Sequence, residues 1–390
     1  MADIYTRAER SALMAKVRGR GNLTTEQALA EIKDSQGVPL PAAAVMLDVQ
    51  TGEILALASQ PTFDPNRLAG RITIADYDEV EKSGAWLNRA TQGLYPPGST
   101  FKIVTAIAGM RKKVVDWDDI LECGAFYRVG NRDFPEHEPV GYGDVDLDKM
   151  LAISCNVWNY QIGLRAGPDA LAAEARRFGL DTPLLETAAS SDGPGATYTE
   201  LPYAASRGLV VPDREYKLRI KAGPWHDGDT ANTSIGQGYL LTSPLHMASF
   251  AASLARGETR TVPTIIHDPA RDGRHRGSTP IGLNKAQLDA IRGGMVRCVE
   301  EGTGRSAHIQ GLPIAAKTGT SEYFKKGEKA HLAWMIGYAP ADNPVVAFCV
   351  LVEGQLDTNT WGGSTAGPVV KQMLETWAAT GEKPAAEPAR

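Results

Sequence analysis

Tyr95-Pro96-Pro97-Gly98-Ser99-Thr100-Phe101-Lys102 runs directly into the apolar segment Ile103-Val104-Thr105-Ala106-Ile107-Ala108. Two prolines and a glycine stop regular structure, so a buried helix is expected to begin at Ser99. In such a helix Lys102 lies one turn further along, on the same face as Ser99 and within reach of its hydroxyl. A serine hydroxyl is a weak nucleophile until a neighbouring base takes its proton. A lysine serves as that base only where burial or a second cation lowers its pKa. The free N–H groups of a helix start would also meet an oxyanion formed at Ser99. By itself, however, Ser-x-x-Lys is a weak signal, and an isolated match fits a capping serine followed by an exposed lysine better.

Two further stretches complete the pattern. Ile153-Ser154-Cys155-Asn156 places a Ser-x-Asn element at the start of the apolar helix expected over 157–164, and Ala316-Lys317-Thr318-Gly319-Thr320-Ser321 falls on an expected strand. In this order, Ser-x-x-Lys, a Ser-Asp-Asn type element and Lys-Thr-Gly are an established signature of penicillin-binding proteins and class A β-lactamases. Each element has a chemical task. Ser99 attacks a carbonyl, Lys102 accepts its proton, and Ser154 relays a proton between Lys102 and the leaving amine. Lys317 adds a second positive charge, which would keep Lys102 neutral and attract an anionic substrate. Asn156 can hydrogen-bond a substrate amide and Lys102 together. Gly319 is expected to leave room for a ligand alongside the strand. An extended peptide would pair with the strand edge, its terminal carboxylate on the Thr318 and Thr320 hydroxyls, and the N–H groups of Ser99 and Thr320 would form the oxyanion hole.

Working outward from these elements, 42–49 and 53–59 read as a β-hairpin around Gln50-Thr51-Gly52, and 61–93 as loop. Helical periodicity covers 147–164, 169–178, 244–254 and 285–300. The Gly-, Pro- and Ser-rich stretch 181–232 reads as long loops beside a site, and 260–276 as strand and loop. Strand-like runs follow at 312–320, 331–339 and 345–353, then a closing helix over 368–377 into which Gly362-Gly363-Ser364-Thr365-Ala366-Gly367 is a turn. Strands at both chain ends around a helical middle predict an α+β fold, an antiparallel sheet assembled from the two ends with a mostly helical insertion. The expected division is an arm over 1–39 with a helix over 25–33, one domain over 40–380, and a disordered tail over 381–390.

Composition narrows the class. With 43% hydrophobic and 22% charged residues and a net charge of −5, the chain is globular and has no basic footprint for nucleic acid. Cys123, Cys155, Cys298 and Cys349 match no zinc spacing and neither demand nor exclude an oxidising compartment. No segment approaches the roughly 20 apolar residues of a membrane span, and the first residues carry no signal-peptide core. Neither His246, within a helix, nor His331, within a strand, belongs to a triad-like or His-Glu-x-x-His grouping.

The chain resembles the transpeptidase domain of class B penicillin-binding proteins, nearest the elongation-type penicillin-binding protein 2 group. Beyond the three motifs, the resemblance rests on Phe63-Asp64-Pro65-Asn66, Trp225 with Gly228-Asp229-Thr230, Ile235-Gly236-Gln237-Gly238, Ser243-Pro244-Leu245-His246, Gly302-Thr303-Gly304 and Trp334 with Gly337-Tyr338-Ala339-Pro340. It implies a penicillin-binding/serine β-lactamase-like fold and a peptidoglycan D,D-transpeptidase. Such an enzyme forms a Ser99 acyl-enzyme from D-Ala-D-Ala stem peptides, passes it to an acceptor amine, and is acylated by β-lactams. It also implies a membrane glycosyltransferase of the elongation machinery as partner, a place at the outer face of the cytoplasmic membrane, and no cofactor. The family normally begins with an anchor and pedestal, so 1–39 is expected to be a pedestal remnant or arm. Where the family usually has Gly-His-Gly, this chain has Gly141-Tyr142-Gly143. No metal is expected, because Cys123, Asp133 and His137 match only loosely the zinc ligands of some relatives. A β-lactamase or D-Ala-D-Ala carboxypeptidase is the alternative, weakened by the lack of a Glu-x-x-Leu-Asn element between Ser154 and Lys317. A non-catalytic β-lactam sensor is the second.

Overall fold

A computed structural model describes residues 21–34, 36–69, 72–184, 188–189, 197–198, 208–265, 278–325, 327–355 and 360–379. Its centre is a five-stranded antiparallel sheet of β1 (Ala42–Asp48), β2 (Ile54–Gln60), β3 (Ala315–Lys325), β4 (Glu328–Ala339) and β5 (Val346–Glu353). The spatial order is β2-β1-β5-β4-β3, so the two chain ends meet where β1 pairs with β5, Val45 opposite Cys349. Strand β3, which carries Lys317, Thr318 and Gly319, lies at the sheet edge.

The sheet is buried on both faces, and its side chains divide by the period of two. Val45, Leu47, Ala347, Cys349 and Leu351 point into one core with Trp158, Phe250 and Trp334. Ala44, Met46, Phe348, Val350 and Val352 point into another with Val370 and Leu374. Each such aliphatic or aromatic side chain contributes about 1.5–3 kcal/mol by leaving water.

Helices cover both faces: α1 (Gly21–Ala30), α2 (Ile74–Ser83), α3 (Lys102–Arg111), α4 (Leu147–Ile153), α5 (Asn156–Ala166), α6 (Pro168–Arg177), α7 (Arg214–Arg219), α8 (Asp227–Ser234), α9 (Pro244–Arg256), α10 (Lys285–Glu300) and α11 (Gly367–Ala379). Helix α9 lies against β1, β4 and β5, while α1 and α11 close the opposite face. Most of these follow the sequence pattern, α10 to the residue. Three do not. The arm helix is placed at 21–30 rather than 25–33, α2 lies inside the expected loop 61–93, and α7 and α8 lie inside the expected loops of 181–232. Helices α2 and α7 begin at Thr73 and Asp213, whose side chains accept from Asp76 N and Tyr216 N. That capping signal is local and short, so the polar composition around it hid both helices. The two-stranded ribbon 126–135 and the paired strands Leu121–Cys123 and Gly143–Val145 were also unforeseen. Most of 185–207, all of 266–277 and the tail 380–390 lie outside the described residues. No described helix is long and apolar enough to cross a membrane.

Candidate active site

The Ser99 helix does not open as an α-helix. Gly98–Phe101 form a 3₁₀ turn, and regular α3 begins at Lys102, whose N–H donates to Ser99 O. Two prolines lacking N–H and a glycine at φ 55° enforce this tighter winding, in which side chains three apart nearly eclipse. Lys102 is thus stacked beside Ser99, and both are buried. The turn is clamped on every side. Pro96 O accepts from Ser321 Oγ at 2.7 Å and Trp334 Nε1 at 3.0 Å, and Tyr95 N donates to Thr242 O at 2.9 Å. Gly98 N donates to Gly236 O at 2.9 Å. Gly236 has φ 76°, and a Cβ there would lie 2.0 Å from Gly98 O. Tyr95 OH and Arg89 Nε both donate to the buried Glu353 Oε1, at 2.7 and 2.8 Å, tying the start of the turn to the end of β5.

The second element opens α5 where the apolar run 157–164 predicts a helix, and it divides the helical periodicity over 147–164 in two. Helix α4 stops at Ser154, which adopts the left-handed conformation (φ 63°, ψ 41°), and Cys155 caps α5, which restarts at Asn156. The apolar periodicity continues through the break, whose local sign is the Ser-x-Asn element before the 157–164 run and whose cause lies in tertiary contacts. Lys102 Nζ makes them, donating to Ser154 O at 2.5 Å, Ser154 Oγ at 3.2 Å and Asn156 Oδ1 at 2.7 Å. Three acceptors for three N–H groups describe a bound ammonium whose donors go to the Ser-x-Asn turn rather than to Ser99. Burial, then the charge of Lys317, lowers the Lys102 pKa from 10.5 to about 7, against the opposing pull of Glu136. Burial lowers Lys317 to about 8.

Strand β3 places Lys317, Gly319 and Ser321 on one face and Thr318 and Thr320 on the other. Lys317 is fully buried and donates to Thr318 O at 3.0 Å. The reason for Gly319 differs from the expected one. A Cβ there would meet Pro97 O and Thr100 Cγ2 at 3.0 Å, so the glycine makes room for the serine turn itself. Thr318 Oγ1 sits 2.5 Å from Thr303 Oγ1, and Thr320 Oγ1 accepts from Gly362 N at 3.2 Å. Burial, then Lys102, lowers the pKa of His137 to about 4, which keeps it neutral beside the two lysines. Asp133 pairs with Arg128 on the exposed ribbon, and among the described residues no three metal-competent side chains are gathered.

With this geometry in place, comparison with known proteins is informative. The family profile of the penicillin binding protein transpeptidase domain matches residues 42–375. The chain belongs to this family. Among curated relatives, the peptidoglycan D,D-transpeptidase MrdA of Acinetobacter baumannii is 30% identical over 95% of the chain and 56% of its own length. PbpA of Mycolicibacterium smegmatis is 32% identical over 86% of the chain and 67% of its own length. The chain thus spans about half the length of MrdA. Among solved structures, Pseudomonas aeruginosa PBP2 in complex with WCK 5153 superposes with a TM-score of 0.74 at 28% identity, covering 91% of this chain and 73% of that one. A ceftriaxone acyl-enzyme of penicillin-binding protein A from M. tuberculosis gives 0.71 at 26%, covering 95% and 84%. The expected penicillin-binding fold and the likeness to the penicillin-binding protein 2 group are thereby borne out.

All eight residues expected at the site lie on three elements that converge on the serine turn. Sequence reasoning missed others. Glu136 Oε2 accepts from Asn156 N at 2.7 Å, Val157 N at 2.9 Å and Cys155 Sγ at 3.1 Å. It is one of 46 acidic residues and belongs to no motif. Thr303, expected only as part of the family resemblance, and Gly362, expected in a turn, touch the strand that carries Lys317. His246 is buried, bonded to Ser243 and Thr182 O, and structural.

Proposed function

We propose that this chain is the catalytic domain of a peptidoglycan D,D-transpeptidase. The observation that carries the proposal is Lys102, wholly buried, one 3₁₀ turn on from the buried Ser99 and held by Ser154 and Asn156, with a pKa brought near neutrality. The neutral amine takes the Ser99 proton as the hydroxyl attacks the penultimate D-Ala carbonyl, and Ser154 Oγ passes a proton to the departing D-Ala. The N–H groups of Ser99 and Thr320 receive the oxyanion. The donor pairs with the open edge of β3, where Thr318, Thr320 and the charge of Lys317 take its carboxylate. A second peptide amine then resolves the acyl-enzyme. The relatives MrdA and PbpA, both named peptidoglycan D,D-transpeptidases, support this reading. Such a domain works outside the cytoplasmic membrane. A membrane glycosyltransferase is the partner this reading favours, since a structure of a peptidoglycan synthase complex that coordinates polymerization and crosslinking superposes at a TM-score of 0.72 and 28% identity.

Intact mass after incubation with a β-lactam, followed for hours, tests the proposal. One adduct is expected, mapping to the Ser99 peptide and persisting, with none on Ser99→Ala. A label elsewhere overturns the nucleophile, and rapid loss of the adduct would make the chain a hydrolase.

A further inference from the structure

We propose that Glu136 is a positioning residue for this reaction: its carboxylate, seated on the first backbone N–H groups of α5, fixes the Ser154–Asn156 turn against Lys102 and balances the buried charge of Lys102. The inference rests on the acyl-transfer reading above and deepens it.

The geometry is specific. Glu136 leaves the ribbon one residue after Pro135 and is buried. One oxygen accepts from three donors, Asn156 N, Val157 N and Cys155 Sγ, while the other accepts from His137 N at 2.9 Å. A group that only accepts, from four donors, is a carboxylate, and its place at the start of an 11-residue helix is where the helix dipole favours one. The same strand end grips the Asn156 side chain, with Nδ2 donating to Pro135 O at 3.4 Å. Asn156 is therefore held at its backbone by Glu136, at Nδ2 by Pro135 and at Oδ1 by Lys102. Ser154, at φ 63°, keeps a left-handed conformation that is unfavourable for a non-glycine residue, so something must over-determine it. Glu136 on one side and Lys102, bonded to Ser154 O, on the other do so.

The charge matters as well as the hydrogen bonds. Lys102 is faced by Lys317 from β3, Cys155 from the start of α5, and His137 and Glu136 from the end of the ribbon. Glu136 is faced in turn by Tyr142, Tyr160 and the Cys155 thiol, all pushed upward in pKa with Glu136 among the causes. Of these neighbours, Glu136 alone is a carboxylate, so it opposes the burial and the second cation that strip Lys102 of its proton.

Two variants separate the roles. Glu136→Gln keeps an acceptor oxygen but removes the charge; Glu136→Asp keeps the charge but withdraws it by one methylene. Acylation by a chromogenic cephalosporin is followed against pH, and Lys102 Nζ is titrated by NMR in the same proteins. For Glu136→Gln the acid limb and the Lys102 titration should both move about one pH unit lower. For Glu136→Asp the plateau rate should fall about tenfold while the limb holds. If a folded Glu136→Gln protein titrates Lys102 at the wild-type pH, or if both variants lose thermal stability with the pH profile unmoved, Glu136 is only a helix cap and the proposal is wrong. Should wild type not be acylated at all, the functional reading falls, while the Lys102 titration still decides the role of Glu136.

Discussion

The turn carrying Ser99 is packed backbone against backbone, with a buried ion pair only at its entrance, whereas the turn carrying Ser154 and Asn156 is held by buried charge. At the first, backbone meets backbone: Gly98 against Gly236, with no space for a methyl group, and Gly319 against Pro97, where one would be tight. At the second, one ammonium and one carboxylate grip a two-residue break between helices from opposite sides. The difference has a chemical logic. The nucleophile must not move, since a displacement of about 1 Å costs orders of magnitude in rate. The base must change both protonation and partner, from the Ser-x-Asn turn to Ser99 and back. Polar contacts reform at small cost where interlocked atoms do not.

The largest effect should follow from removing the base. Lys102→Ala is expected to slow acylation about 10²–10⁴-fold, whereas Lys317→Ala should mainly raise the concentration at which acylation saturates. Normal acylation by Lys102→Ala would dissolve the distinction between the two turns, because nothing would then need to move. Next comes Gly236→Ala. Its added methyl would lie on Gly98 O in a backbone conformation that disfavours a side chain, and a loss of about 2–5 kcal/mol is expected from strain and overpacking. Thermal unfolding beside acylation rate reads both consequences, and a neutral substitution would mean that the clamp yields. The smallest and sharpest effect is in pH. In the proposed reaction neutral Lys102 is the base, so acylation should fall as pH drops below about 7. On the same proposal Lys317 holds the anionic end of the substrate only while protonated, so capture should weaken above about 8. A rate still climbing well above that range would show Lys102 holding its proton as an exposed lysine does.

What the sequence determined by itself was everything encoded at short range or by repetition. Ser99 and Lys102 are three residues apart, Ser154 and Asn156 two, and Lys317 to Gly319 consecutive, so each motif is readable without knowing the fold. The sheet was legible for the same reason: β1, β4 and β5 are apolar runs of strand length at the two chain ends. What only the tertiary structure decided was set by contacts between residues distant in sequence. The break at Ser154 interrupts an apolar helical pattern without a glycine or proline to mark it, because its cause is Lys102 from α3 and Glu136 from the ribbon. The true reason for Gly319 lies in Pro97 and Thr100, and that for Gly236 in Gly98. Hydrophobic period and turn chemistry are local properties that a sequence displays. The pairing of a buried carboxylate with a buried ammonium depends on which chain segments folding brings together, and no spacing within the sequence records it.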